Sequence, residues 1–360
     1  MLALAGKPIL QHIIEFLTRH GFDEIFITTN YLRERVEKFF GDGSKFGVKL
    51  AYPRENRPLG TAGSVKNAER YLDDTFAVIQ GDNITDVDFK RVLEFHREKR
   101  GIATMMLIPV DNPSAFGVAE LDQSCRIVRF LEKPKPEECF SNLANTGLYI
   151  FEPQIFDHIP KDSTYDFSKN LFPKILELGK EIYGCKVKCF WADVGHPESL
   201  LKVNKWILGN LKRPKIAETA EIHGDVSGPV LIGEDVVIES GAKISGPVII
   251  GDDCLVQANS IIKANSVIGP EVVIGKGNRL TGSIIYEKTI SDSASKFKEC
   301  MVGENCKIGS STSLDRYAIV GANCKIGDDV RVQSGSRIWP GIEVDSNSVI
   351  RGILKYPIEY

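Results

Sequence analysis

GPVLIGEDVVIESGAKISGPVIIGDDCLVQANSIIKANSVIGPEVVIGKGNRL, residues 228–280, decides the architecture of the C-terminal half. Every sixth residue from Ile232 is aliphatic: Ile232, Ile238, Ile244, Ile250, Val256, Ile262, Ile268, Ile274 and Leu280. A second series runs Val302, Ile308, Leu314, Val320, Ile326, Val332, Ile338, Val344 and Ile350. Glycine often follows the aliphatic residue, and the fourth position after it is usually small or β-branched, as at Val236, Ala242, Cys254, Ser260, Cys306 and Cys324. One large and one small inward position per six residues, with a turn between them, describe a short strand and a corner; three such units close a triangular coil. Ile216 and Ile222 form the first turn, and the ten-residue step from Ile222 to Ile232 is a phase slip. The step from Leu280 to Val302 is 22, not a multiple of six, so the spacing predicts that the stretch at about 281–301 leaves the coil as a loop insertion or breaks the register.

Working outward, this pattern resembles the hexapeptide repeats of left-handed parallel β-helices, an all-β solenoid over residues 212–360. The other half, 1–211, alternates helical and strand-like stretches. Ile9, Leu10, Ile13, Ile14 and Leu17 mark one helical face stopped by Gly21, and FDEIFITTN, VKLAYP, FAVIQGD and IATMMLIPV read as strands between further helices. Such alternation implies a Rossmann-like, doubly wound α/β layer, whose ligands sit at the carboxyl ends of the strands.

Composition narrows the function. The chain has 360 residues, a formal charge of −3, 26% charged and 42% hydrophobic residues, which is a folded globular balance and not a disordered one. It carries no general basic field for nucleic acid or an anionic membrane, and no apolar run of the ~18 residues a membrane span needs. A cytoplasmic location is the expectation. The eight cysteines form no C-x-x-C pair and read as buried reduced thiols. Cys185 and Cys189 stand ~13 Å apart along an extended stretch, too far for a disulfide.

Asp82 ends the apolar run FAVIQGD, and Asp193 ends another in FWADVGHP. Each suits a turn or cap, and the two together also suit Mg²⁺, which takes one or two carboxylates and completes its shell with water and phosphate oxygens. Gly60, Thr61, Ala62 and Gly63 lie where a loop enters a helix, either as a backbone cradle for a base or phosphate or as a turn with Thr61 as N-cap. Glu132 and Lys133 in FLEKPKP are held extended by Pro134 and Pro136, a pairing that suits a sugar phosphate or a solvated charge pair.

AGKPILQHII, ENRPLGTAG, IQGDNITD, AFGVAELD, FLEKPKP, ANTGLYIF and WADVGHP, followed by the repeat, closely resemble the sugar-1-phosphate nucleotidyltransferase family, and the LGTAG form looks most like mannose-1-phosphate guanylyltransferases. The resemblance implies that Asp82 and Asp193 hold Mg²⁺ and, with Lys133, carry catalysis. It places the nucleotide on Gly60, Thr61, Ala62, Gly63 and Gly81, and the sugar phosphate on Gly117, Glu132, Lys133, Asn145 and Gly147. The implied partners are an NTP and a sugar-1-phosphate, with no nucleic acid or membrane. The implied reaction is in-line attack of a sugar-phosphate oxygen on the α-phosphorus of the NTP, with pyrophosphate leaving.

One departure stands out. Family members open with a strand and a GGxGTRL loop that this chain lacks, so exposed edges of neighbouring strands are expected, and the chain reads as a shortened form beginning at an internal Met. Competing functions are a catalytically silent regulatory or assembly subunit, a glucose-1-phosphate uridylyl- or thymidylyltransferase, and a bifunctional acyltransferase. The six histidines are 12, 20, 96, 158, 196 and 223, so none lies beyond the first solenoid turn to serve acyl transfer. His196 after the DVG reads as a sugar-phosphate contact or a turn residue. The β-helix reads as an oligomerisation module for a homo-oligomer.

Overall fold

The computed structural model describes residues 2–356, so the last four residues of the 212–360 span lie outside the described residues. It divides into two compact units, one holding residues 8–193 and the other holding the segment 3–7 with the chain from Val194 onward.

In the first unit the helical spacing is realised as expected: helix Ile9–Arg19 buries Ile13, Ile14, Phe16 and Leu17 on one face. Strand Leu143–Phe151 is the organiser. It runs antiparallel to Ala103–Pro109 along its length, to Phe76–Ile79 at one end and to Gly117–Leu121 at the other. Ile182–Lys186 adds in parallel beside Ala103–Pro109, and Ile127–Glu132 closes the far edge. The sheet of this α/β layer is therefore mixed: between Ile127–Glu132 and Leu143–Phe151 lies only the short 3-10 turn Pro136–Glu138, too little chain for a helical crossover that would set the latter parallel. Tyr149, Phe151, Phe167 and Phe172 pack ring to ring beneath it. Buried His96 ties the layer together, with Nδ1 2.8 Å from Thr104 Oγ1 and Nε2 2.9 Å from Glu152 Oε1.

The expected open edges are present. Glu24–Phe26 pairs only with Lys49–Ala51, and Phe76–Ile79 only with Leu143–Phe151, among the described residues. Both lie along an apolar cavity of about 250 Å³ lined by Ile25, Phe26, Val65, Val78 and Phe89 among others.

In the second unit three parallel sheets of nine, eight and eight strands wind around one core, the expected left-handed β-helix. Rungs step by eighteen residues, as Ile232 to Ile250 to Ile268, and the inward aliphatics are almost wholly dehydrated. Each such Ile or Val contributes about 1.5–3 kcal/mol of burial.

The predicted loop at about 281–301 does not form. Strands Ile284–Ile285, Ile290–Ser291, Lys296–Lys298 and Met301–Val302 keep the chain in the coil. Instead two rungs are one residue short: Ile268 pairs with Ile285, and Ile285 with Val302. The residue is lost each time at the corner after the third strand, at Thr281–Ser283 and Lys298–Cys300, where Gly282 and Glu299 turn the chain with φ of +59° and +44°. The period was masked because two inward positions depart from the aliphatic code. Phe297 fills one, and Ser291 fills the other by accepting from Asn278 Nδ2 at 2.7 Å. The earlier slip is a short first turn, with Val226 pairing with Ile244.

The first solenoid face carries outward apolar residues, and Ile249, Val267, Ile284 and Met301 are all buried. Helix Pro197–Gly209 runs with this unit. Its Leu200, Val203 and Leu208 are buried, and Asn204 donates to the Asn265 carbonyl at 3.3 Å while accepting from the Ala5 N–H at 3.1 Å. All eight cysteines are free thiols, and burial pushes Cys254 and Cys300 up to about 12.

Candidate active site

The site is assembled around Leu143–Phe151. Gly147 has φ +74°, and a Cβ there would stand 2.6 Å from Asn83 Nδ2 and 2.8 Å from the Gln80 side chain. A glycine is required for that close approach. The Gly147 carbonyl accepts from the Gln80 N–H at 3.2 Å, and Asn83 donates to the Thr146 carbonyl at 2.6 Å. These contacts fix the turn that presents Gly81 and Asp82. Asp193 arrives from the short antiparallel pair Trp191–Asp193 with Asn83–Thr85, standing opposite Asn83.

Asp82 and Asp193 are thereby brought together. Crowding and the neighbouring Asp193 charge both hold the Asp82 carboxyl above its ordinary 3.8, although the residue keeps contact with solvent. Two neighbouring like charges are what a divalent cation relieves, so the pair fits Mg²⁺. Among the described residues no third His, Cys, Asp or Glu joins them in a metal-holding group. Water and phosphate oxygens would complete the shell.

Gly117 and Glu132 are direct partners across the Gly117–Leu121 and Ile127–Glu132 hairpin. A Cβ on Gly117 would lie 2.6 Å from Glu132 Oε2, so the glycine makes room for that carboxylate. Asn145 donates to the Tyr149 hydroxyl at 2.8 Å and accepts the Gly147 N–H at 3.0 Å, which orients its amide. Burial raises the Tyr149 phenol, with the Glu132 charge adding to it, so Tyr149 stays a neutral scaffold. Lys133 is exposed at the end of this group. Its backbone is left-handed, φ +46°, and its N–H donates to the Phe116 carbonyl at 3.0 Å. The expected extended pose is thus corrected: the hairpin pairing overrides the preference that Pro134 imposes on its neighbour.

The Gly60–Gly63 turn differs from expectation. Helix Gly60–Asn67 is entered from Leu59, and Thr61 is no cap. The Ala62 and Gly63 N–H groups both donate to the Tyr165 carbonyl at 2.9 Å, and Thr61 bonds Asp166 through its N–H and hydroxyl. These amides are already engaged and form no open anion cradle. Gly60, φ +72°, approaches the Tyr165 carbonyl to 2.8 Å from a would-be Cβ.

Sequence reasoning missed Glu55, Trp191 and Phe116. Glu55 Oε1 is shut off from water and has no hydrogen-bond partner among the described residues. Burial raises its carboxyl, opposed by the Ser64 hydroxyl and the Arg33 charge. Its place in ENRPLGTAG, five residues before Gly60, was the available signal. Trp191 Nε1 donates to the Thr146 carbonyl at 3.0 Å and meets Phe116 edge to face, linking the Asp193 strand to the Gly117 hairpin. His196 is the residue at which helix Pro197–Gly209 begins.

The Nucleotidyl transferase family model matches residues 1–209, and the GMPPB C-terminal domain model matches residues 244–354. A UTP–glucose-1-phosphate uridylyltransferase from Synechocystis sp. is 34% identical, covering 68% of this chain and 70% of its own. A bifunctional GlmU protein from Methanococcus maripaludis is 34% identical over 87% of this chain and 74% of its own. A mannose-1-phosphate guanylyltransferase from Mycobacterium tuberculosis is 35% identical over 56% of each. Among solved structures, a putative glucose-1-phosphate thymidylyltransferase from Bacillus anthracis aligns with a TM-score of 0.53 at 26% identity, covering 59% of this chain and 87% of that one. The chain belongs to the nucleotidyl transferase family, among the sugar-1-phosphate nucleotidyltransferases.

Proposed function

We propose that the chain joins mannose-1-phosphate to GTP, giving the nucleotide sugar and pyrophosphate. The observation that carries the reaction type is the Asp82–Asp193 pair, whose two short strands are tied by Asn83 and Trp191 to the Thr146 carbonyl, next to Asn145 on the strand that the Gly117–Glu132 hairpin adjoins. Mg²⁺ bound by the two aspartates would neutralise the nucleotide phosphates. Glu132 and the oriented Asn145 amide would hold sugar hydroxyls, and the exposed Lys133 ammonium would neutralise the sugar phosphate. The attacking oxygen is already anionic, so alignment and charge neutralisation suffice and no protein nucleophile is needed.

Glu55 supports guanine. A carboxylate oxygen without a donor, on the loop that leads into Gly60, suits the adjacent N1–H and N2–H donors of guanine better than the uracil edge, whose one donor lies between two acceptors. The match to the GMPPB C-terminal domain supports the same choice. A glucose-1-phosphate uridylyl- or thymidylyltransferase is the second reading, favoured by the Synechocystis and Bacillus anthracis relatives. Comparing GTP, ITP, UTP and dTTP with each sugar phosphate separates them. Guanine reading requires GTP to exceed ITP, and Glu55→Gln to erase that margin. We further assign the solenoid to homo-oligomer formation and the protein to the cytoplasm.

A further inference from the structure

On the third solenoid face, Lys243, Lys263, Arg279, Lys296 and Lys298 all point outward and are exposed. Arg279 and Lys296 are direct partners on adjacent strands, about 4.8 Å apart, and Lys298 is the partner of Thr281 one step along. None of the five has a carboxylate at ion-pair distance among the described residues. Five other cations on the coil do, Lys288 with Glu271, Arg316 with Glu299, Lys325 with Glu343, Arg331 with Asp315 and Arg337 with Glu198, whereas Lys276 and Lys307 on other parts of the coil do not, among the described residues. The two shortened corners directly follow Arg279–Thr281 and Lys296–Lys298.

The corner between the first and second faces shows the opposite sign. Glu234, Asp235, Asp252, Asp253, Glu287 and Glu304 are exposed there, on successive rungs with one rung taken by Pro270, while Glu271 is held by Lys288. In a three-sided coil that corner lies opposite the third face. The solenoid is thus polarised across its width, acidic on this corner and basic on the third face, whose first strand also carries exposed Asp225 as the cross-strand partner of Lys243. The basic array extends over about 14 Å and the acidic ridge over about 19 Å, both with the same rung spacing.

We propose that the basic third face of one chain docks on the acidic ridge of a second copy, solenoid beside solenoid. The shared spacing lets charges meet rung by rung, which a partner without this repeat would not offer. The face is flat and carries no aromatic side chain, unlike a small-ligand pocket or a base-stacking platform. Because the two surfaces lie on opposite sides, the contact is head-to-tail and leaves a free surface at each end, so assembly grows with concentration and does not stop at a closed dimer. This inference rests on the oligomer reading above and deepens it.

The test is sedimentation velocity of the full chain at about 0.05 M and about 0.5 M salt, which shortens the screening length roughly threefold. Two charge-reversal sets are compared, Lys263→Glu with Lys296→Glu and Lys298→Glu, and Asp252→Lys with Asp253→Lys and Glu287→Lys, each checked for an unchanged melting curve. The expected result is a weight-average mass at least about twofold higher at low salt, lost in either set alone and regained when the two sets are mixed. Association indifferent to both reversals would overturn the docking surface while leaving the oligomer reading intact. A monomer at both salts would overturn both. Binding of anionic vesicles or nucleic acid by the basic face without self-association would also contradict the proposal.

Discussion

Asp193 stands across from Asn83 in an antiparallel pair, and that register sets its carboxylate beside the one on Asp82. The cost of this neighbourhood has a sign. Asp82 is raised above its unfolded value, so between those two values the folded protein binds more protons, and stability falls as pH rises through the folded value. Asp82→Asn is expected to raise the metal-free melting temperature at neutral pH while abolishing Mg²⁺-dependent turnover. Thermal melting with and without Mg²⁺ checks this: the ion should stabilise the native chain with nucleotide and leave the variant unmoved.

Gly147→Ala tests the frame. With φ +74° and Asn83 Nδ2 2.6 Å from the added carbon, the Gln80–Asn83 turn must move. A loss of about 1–3 kcal/mol in denaturant unfolding is expected, together with a larger fall in kcat than in sugar-phosphate affinity. Unchanged kcat would mean that the turn is not positioned from this strand.

Tyr149→Phe removes the acceptor for Asn145 Nδ2. About 1 kcal/mol of stability should be lost, and KM for the sugar phosphate should rise while KM for the nucleotide stays constant. Equal rises in both would reassign Asn145.

Much of this was legible in the sequence, because strict periodicity survives translation into a coil: the aliphatic positions in the two sixfold series are the inward ones. What failed was local. A missing residue at two corners looks, in phase arithmetic, like an insertion between them, and Ser291 hides its inward place until Asn278 is seen beside it. Asp82 and Asp193 could be singled out as candidates because each follows an apolar run in the sequence. The Gly60–Gly63 amides were misread because their acceptors, Tyr165 and Asp166, lie about a hundred residues away in sequence. Glu55 was missed because an unpaired oxygen is a property of the folded surroundings, and no local pattern announces it.

Phe297→Ala probes the solenoid. The ring is almost wholly buried in a shortened rung, so a loss of about 3–5 kcal/mol is expected. Because each rung rests only on its neighbours, hydrogen exchange should quicken around that rung before the far rungs respond. Uniform quickening of the whole coil would show that it unfolds as one unit.

The most direct test of the account is pyrophosphate release from GTP and mannose-1-phosphate with Mg²⁺. The account predicts release that needs both substrates, stops on chelation and is lost in Asp82→Asn and Asp193→Asn. Absence of release from any pairing of GTP, UTP or dTTP with mannose- or glucose-1-phosphate, or full release by the Asp193→Asn variant, would contradict it.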